Sequence, residues 1–209
     1  MAYLTIDDAP SALFAEKLAY LERKGIPALI FCIGEKASGR EKELAGALAA
    51  GFALGNHSYS HPRFSAIPFE ECRSEIHRTD ALLRSVYRLA NMAWKRKFFR
   101  FPYLDRGGDI RKISLIQDCL RADGYLGPAA QEGAWADVAC GFDQMEYYFG
   151  TPEAPDGLGA REAILARIDD RHPARDDIIL IHDHEYSHEL FFECVDRYLA
   201  NGTRFSRLG

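Results

Sequence analysis

No stretch of this chain approaches the ~18 consecutive apolar residues that a membrane-spanning helix requires. The opening residues, MAYLTIDDAP, carry no basic-then-apolar leader. A membrane partner is therefore not expected. Positive charge is also scarce, with 26 Lys and Arg against 31 Asp and Glu and a net charge of −5. Nucleic acid calls for a dense basic surface, so it is not the expected partner either. The one basic cluster, Lys95-Arg96-Lys97, runs straight into Phe98-Phe99 and reads as a solvated turn before a strand. Cysteine is sparse and odd in number: Cys32, Cys72, Cys119, Cys140 and Cys194 are widely scattered, with no C-x-x-C. That excludes a disulfide framework and points to a reduced, cytoplasmic setting. Several of the five sit in apolar contexts, where cysteine behaves as a small hydrophobe. Internal repeats, low-complexity tracts and domain linkers are absent.

What is present suits one soluble domain over residues 1–209, with 47% hydrophobic and 27% charged residues. Short apolar runs alternate with amphipathic stretches. AYLTI (2–6), PALIFCI (27–33), FALGN, KFFRF (97–101) and DIILIHD (177–183) predict strands. Helical spacing predicts helices over 11–24, about 40–50, Phe69 to about Asn91, 109–122, 160–170 and 188–200. The stretch 127–158 is irregular and rich in Gly, Pro and aromatics. This alternation implies a mostly parallel α/β fold, either an open sheet or a barrel. In both, sites form at the carboxyl ends of the strands. Four strand exits carry reactive groups: Asp7-Asp8, His57 with His61, Arg100 to Tyr103, and His182-Asp183.

Adjacent carboxylates at a strand end point to different sides, so Asp7 and Asp8 can divide the work of base and ligand. The competing reading is a helix N-cap pair ahead of APSALF. His57 and His61 are four apart, but Pro62 disfavours helical geometry at His61, which predicts a loop or a single turn. Ser58 stands where a zinc protease needs Glu, which excludes that class. An isolated pair of this kind is more often structural. Joined with Asp8, it becomes a two-His, one-carboxylate set with open positions for water and substrate. A cation there lowers the pKa of water and polarises a carbonyl, and Asp7 can accept the proton. An amide or ester hydrolase also needs a proton for its leaving group, and His182 is placed to supply one; otherwise it is a core histidine satisfied by backbone. Arg100 can hold a carboxylate such as Asp7 ionised, or serve only in a surface ion pair. A backbone N–H near Pro102-Tyr103 can stabilise an oxyanion.

TIDDAP, HSYSH, RFPY and ILIHD resemble, in order and approximate spacing, motifs one, two, three and five of the polysaccharide deacetylases, the NodB-homology domain of carbohydrate esterase family four. They span residues 5–183. The resemblance implies a distorted (β/α) barrel of about seven strands. It implies Asp7 as catalytic base, with Asp8, His57 and His61 as ligands to a divalent metal, zinc before cobalt or nickel. It further implies Arg100 orienting Asp7, the Tyr103 amide serving the oxyanion, His182 as general acid and Leu180 lining the acetyl pocket. The fourth motif departs from the family's D-x-x-D-W: here DQMEYY offers Asp143, Glu146 and Tyr147. Either Glu146 or Asp143 would brace His182, with Tyr147 in the place of the pocket Trp. Ala9 stands where the family often has Gly. His184 and His188, just beyond motif five, read as local surface groups.

The expected function is metal-dependent removal of an N-acetyl or related acyl group from an amino sugar or glycan. The alternatives are a cyclic amide or ureide hydrolase, or a deformylase, acting on a small acylated amine inside the cell, and a carbohydrate-binding pseudoenzyme. A non-haem iron oxygenase would usually place His and a carboxylate two apart, which neither HSYSH nor DD does.

Overall fold

β1 (Ala2–Ala9) is buried along almost its whole length, as a parallel strand covered on both faces must be. In the computed structural model the described residues are 2–125, 147–148, 158–170, 177–184 and 188–207. They divide into two compact units, one drawn from Met1–Ile30 and Met145–Leu208, the other from Phe31–Gln144.

In the first unit β1 pairs in parallel with β5 (Asp177–His182), and β5 pairs in parallel with the short β4 (Tyr147–Tyr148). β2 (Ala28–Cys32) adjoins β1 in the order β2-β1-β5-β4. Three helices belong here: α1 (Phe14–Lys24), α6 (Leu158–Asp170) and α7 (His188–Ala200). Phe14, Leu18 and Leu21 of α1, and Phe191, Cys194, Val195 and Tyr198 of α7, are buried. Gly25 ends α1 in the left-handed conformation, its N–H reaching the carbonyl of Glu22.

The second unit holds α2 (Gly34–Ala37), α3 (Glu41–Ala49), β3 (Ala53–Asn56), α4 (Phe69–Leu89) and α5 (Ile110–Ala122). The long α4 buries Cys72, Ile76, Leu83 and Val86, the three- and four-residue steps read from the sequence. Cys72 and Ile76 join Phe64, Phe99, Phe101, Ile116, Leu120 and Tyr125 in an aromatic-rich core. Asp109 caps α5 by accepting from the amides of Arg111 and Lys112.

Five strands are described, where the resemblance implies about seven. KFFRF does not extend into a ladder. It makes only isolated parallel bridges, Lys97 with Tyr125 and Phe99 with Asn56, the second through Asn56 N–H to the Phe98 carbonyl at 2.8 Å and Arg100 N–H to the Asn56 carbonyl at 3.0 Å. Two residues later Pro102 has no N–H to give and the chain turns into a 3-10 segment. The basic cluster before it is not solvated throughout, because Lys97 is buried. Its ammonium lies 2.6 Å from Asp80 and over the rings of Trp94 and Tyr125. Among the described residues no helix is long and apolar enough to cross a membrane.

Candidate active site

Asp7 and Asp8 lie inside β1, and α1 begins at Phe14 with no side-chain cap, so neither carboxylate serves as a helix cap. The parallel register sets Asp7 directly beside His182. A predicted base and a predicted acid thus occupy neighbouring positions on adjacent strands. Leu180, two residues back, is fully buried and lies level with Thr5. Asp8 adopts φ 65, a left-handed conformation that Asp tolerates better than most residues. Its Oδ2 accepts from His184 Nε2 at 2.6 Å.

His184 is therefore not the surface group expected from the sequence: its side chain is mostly buried and bonded to a candidate ligand. His188 is not a plain surface group either. It lies 3.3 Å from Glu16 and edge-on to Phe192.

Asp183 anchors the end of β5. It accepts from the Ser11 amide and hydroxyl, each at 2.7 Å, and from Lys17 Nζ at 2.6 Å, with both charged side chains almost wholly buried. Lys17 also donates to the His184 carbonyl and lies over the Phe191 ring. One signal for this anchor was available in the sequence. Lys17 is three residues after Phe14 and four before Leu21, on the apolar face of α1.

In the second unit His57 and His61 sit on an irregular loop, as Pro62 predicts. Ser58 and His61 have positive φ, each a conformation costing on the order of 1–3 kcal/mol. Neighbouring elements hold it. Glu75 on α4 accepts from the amides of Tyr59 and Ser60, at 2.8 and 2.6 Å, and from the Ser60 hydroxyl. Thr79 donates to the Ser58 carbonyl, and the Asn56 side chain accepts from the Ser58 amide. A Cβ on Gly34 would come within 2.3 Å of the Thr79 hydroxyl and 2.6 Å of Tyr59, so glycine is required for the loop to pack there.

His57 Nδ1 lies 2.8 Å from the Arg100 carbonyl, which can only accept. The proton is thereby assigned to Nδ1, and Nε2 keeps its lone pair. That Nε2 is 3.2 Å from His61 Nε2. Two imidazole nitrogens on one tetrahedral zinc would stand about 3.3–3.4 Å apart. Two imidazole nitrogens this close are a donor pair fit for a divalent cation, and Asp8 is the carboxylate that the sequence offers to join them.

Arg100 is completely buried, its guanidinium 4.3 Å from the centre of the Phe31 ring, which excludes the surface ion pair. Tyr103 has φ 54, and its exposed ring packs against His61 and under Arg63. Asp143 and Glu146 lie outside the described residues, as does the Tyr147 side chain. Sequence reasoning missed Lys17, Glu75, Thr79 and His184, because each acts on a site residue through a contact between separate elements.

The family model for polysaccharide deacetylase matches residues 1–115. Peptidoglycan-N-acetylglucosamine deacetylase of Bacillus cereus is 36% identical over 101 residues, which is 48% of this chain. The chain spans 35% of that relative's length. Among solved structures, the polysaccharide deacetylase Bc1974 from Bacillus cereus superposes with a TM-score of 0.69 at 20% identity, over 99% of this chain and 90% of that one. BA3943, a CE4 family pseudoenzyme from Bacillus anthracis, superposes with a TM-score of 0.66 at 17% identity, over 98% and 62%. Similarity of fold is thus shared with a pseudoenzyme, and activity has to be argued from the site.

Proposed function

Because this chain belongs to the polysaccharide deacetylase family, we propose that it is a metal-dependent hydrolase removing an N-acetyl or related acyl group from an amino sugar or glycan. The observation that carries this reading is the histidine pair, with Nε2 atoms 3.2 Å apart and the His57 tautomer set by the Arg100 carbonyl. The Bacillus cereus relative, a peptidoglycan-N-acetylglucosamine deacetylase, supports an amino-sugar substrate.

Asp8, His57 and His61 are the proposed ligands, and their mixture of carboxylate and imidazole suits zinc, with cobalt or nickel as substitutes. A bound divalent cation would supply Lewis acidity to the attacking water and the acyl carbonyl. Asp7 takes the proton of that water, and the buried Arg100, whose charge calls for an anion, orients Asp7. The Tyr103 amide donates to the developing oxyanion. His182, in register with Asp7, protonates the departing nitrogen, so that water adds across the bond to yield a free amine and a carboxylic acid. Glu146 or Asp143 braces His182, and Leu180 with Tyr147 lines the acyl pocket. The distorted barrel of about seven strands and the cytoplasmic location are proposed on the family resemblance and on the cysteine pattern respectively.

The test is a metal-reconstituted assay across chitooligosaccharides, peptidoglycan fragments, acetylated xylan and cyclic amides. Acetate release from an amino sugar is expected. Ring opening of a cyclic amide, or saccharide binding with no metal-stimulated acyl release, would overturn the reading in favour of a ureide-type hydrolase or a pseudoenzyme.

A further inference from the structure

His77, on α4, and Cys119 and Asp123, at the end of α5, bring three different donor atoms to one place on the surface of the second unit. His77 Nε2 is 2.8 Å from Asp123 Oδ2, and Cys119 Sγ is 3.7 Å from each of them. None of these residues belongs to the four strand exits or to the proposed reaction. A nucleophilic Cys-His-Asp relay does not fit, because thiol and carboxylate both meet the same ring nitrogen, whereas a relay needs one on each.

A tetrahedral cation does fit. With Zn–S of ~2.3 Å and Zn–N or Zn–O of about 2.0–2.2 Å, the ligand-to-ligand edges are about 3.4–3.6 Å. At 3.7 Å the two edges to sulfur exceed this length by only about 0.1 Å. The third opens by turning the partly exposed Asp123 carboxylate away from His77.

The backbone beneath is held in place. Cys119 and Asp123 are four apart on one helical face, and Asp123 N–H bonds to the Cys119 carbonyl. The Asp123 carbonyl accepts from Lys97 Nζ at 2.8 Å, and the charge of that ammonium is balanced by Asp80 at 2.6 Å. Thiolate and carboxylate together would neutralise a divalent cation, and sulfur with imidazole selects a borderline-soft one over magnesium or calcium.

We propose that His77, Cys119 and Asp123 form a second, surface metal site that binds zinc, with water or an external ligand in the fourth position, and that clips α4 to α5. Binding displaces the Cys119 thiol proton to solvent and involves no redox change.

The experiment titrates cobalt(II), as a spectroscopic stand-in for zinc, into the metal-free full chain. A thiolate-to-cobalt charge-transfer band in the near ultraviolet is expected by two equivalents, one for each proposed site, and is reversed by added zinc. The band should disappear in Cys119→Ser. In His77→Ala, cobalt binding should weaken by more than the ~10–100-fold that loss of an outer-shell partner costs. It should survive in Asp8→Asn, because the Asp8, His57 and His61 set has no sulfur donor, so this site and the proposed catalytic metal fail or succeed separately. Zinc should also raise the Tm of Asp8→Asn, and adding Cys119→Ser should abolish that rise. No band in the wild-type chain, or a band that persists in Cys119→Ser, would overturn the proposal.

Discussion

Asp7 and Asp8 are neighbours in the chain, yet β1 turns them to different partners. Asp7 stands level with His182, and Asp8 accepts from His184. The two amides that mimic them should therefore fail differently. Asp7→Asn is expected to keep wild-type metal content and lose turnover by at least about 10²-fold, the scale of a general-base contribution. Asp8→Asn is expected to lose the catalytic metal. Metal analysis beside an acyl-release assay distinguishes them, and wild-type turnover by Asp7→Asn would sink the assignment. His184 fixes the orientation of Asp8 through one of its two oxygens. On the proposed reading, His184→Ala should weaken metal affinity by about 10–100-fold, and His184→Gln, which can still donate, should recover part of it. Competition with a fluorescent chelator reads both. Asp7, Asp8, His57, His61 and His182 were legible in the sequence because each interrupts or follows an apolar run. His184 was legible only as an extra histidine, since its partner lies 176 residues away.

At the scale of elements, two helices act as clamps. α4 presents Glu75 and Thr79 to the loop carrying both histidines, so a strained backbone is held before any ligand arrives. α1 presents Lys17 to Asp183 at the end of β5, next to the proposed acid. Removing one partner of a buried pair strands the other charge, so Lys17→Met should cost about 3–5 kcal/mol. Lys17→Met with Asp183→Asn should recover much of that loss. Urea unfolding of the two single variants and the double variant completes the cycle, and additive losses would show that the pair is not coupled. The periodicity of α1 and α4 was readable, since burial every three or four residues leaves a trace in composition. The polar residues riding on those faces looked like ordinary helix surface, because a pattern gives spacing and not the element that will lie opposite.

Across the whole molecule, several buried acids resist ionisation. Burial pushes the Cys72 thiol up to about 11 and the Cys194 thiol up to about 12. It pushes the Tyr87 phenol up to about 12 and holds Tyr125 well above its ordinary value, with Asp80 adding to the shift. Once unfolded, these groups release protons near 9 to 10, while the folded chain retains them. The unfolded state then binds fewer protons, so stability falls as pH rises. The contribution is fully present below the ordinary thiol value of 9.0 and is lost as pH climbs toward the folded values. Urea midpoints should therefore hold level up to about pH 8 and drop steadily beyond about pH 9. A midpoint that stays flat up to about pH 11 would contradict the burial of these four groups.

The sequence by itself determined the alternation of strands and helices, the family motifs and the placing of acid, base and ligand candidates at strand ends, because local periodicity and short spacings carry that information. It also set the histidine loop apart from a helix, since Pro62 acts on its immediate neighbour. Only the tertiary structure decided that KFFRF stops at isolated bridges, that Lys97 and Arg100 are buried, and that Lys17, Glu75 and His184 support the site. Each of those outcomes depends on a partner distant in sequence, and burial turns a solvated charge into one that must be answered by a particular group.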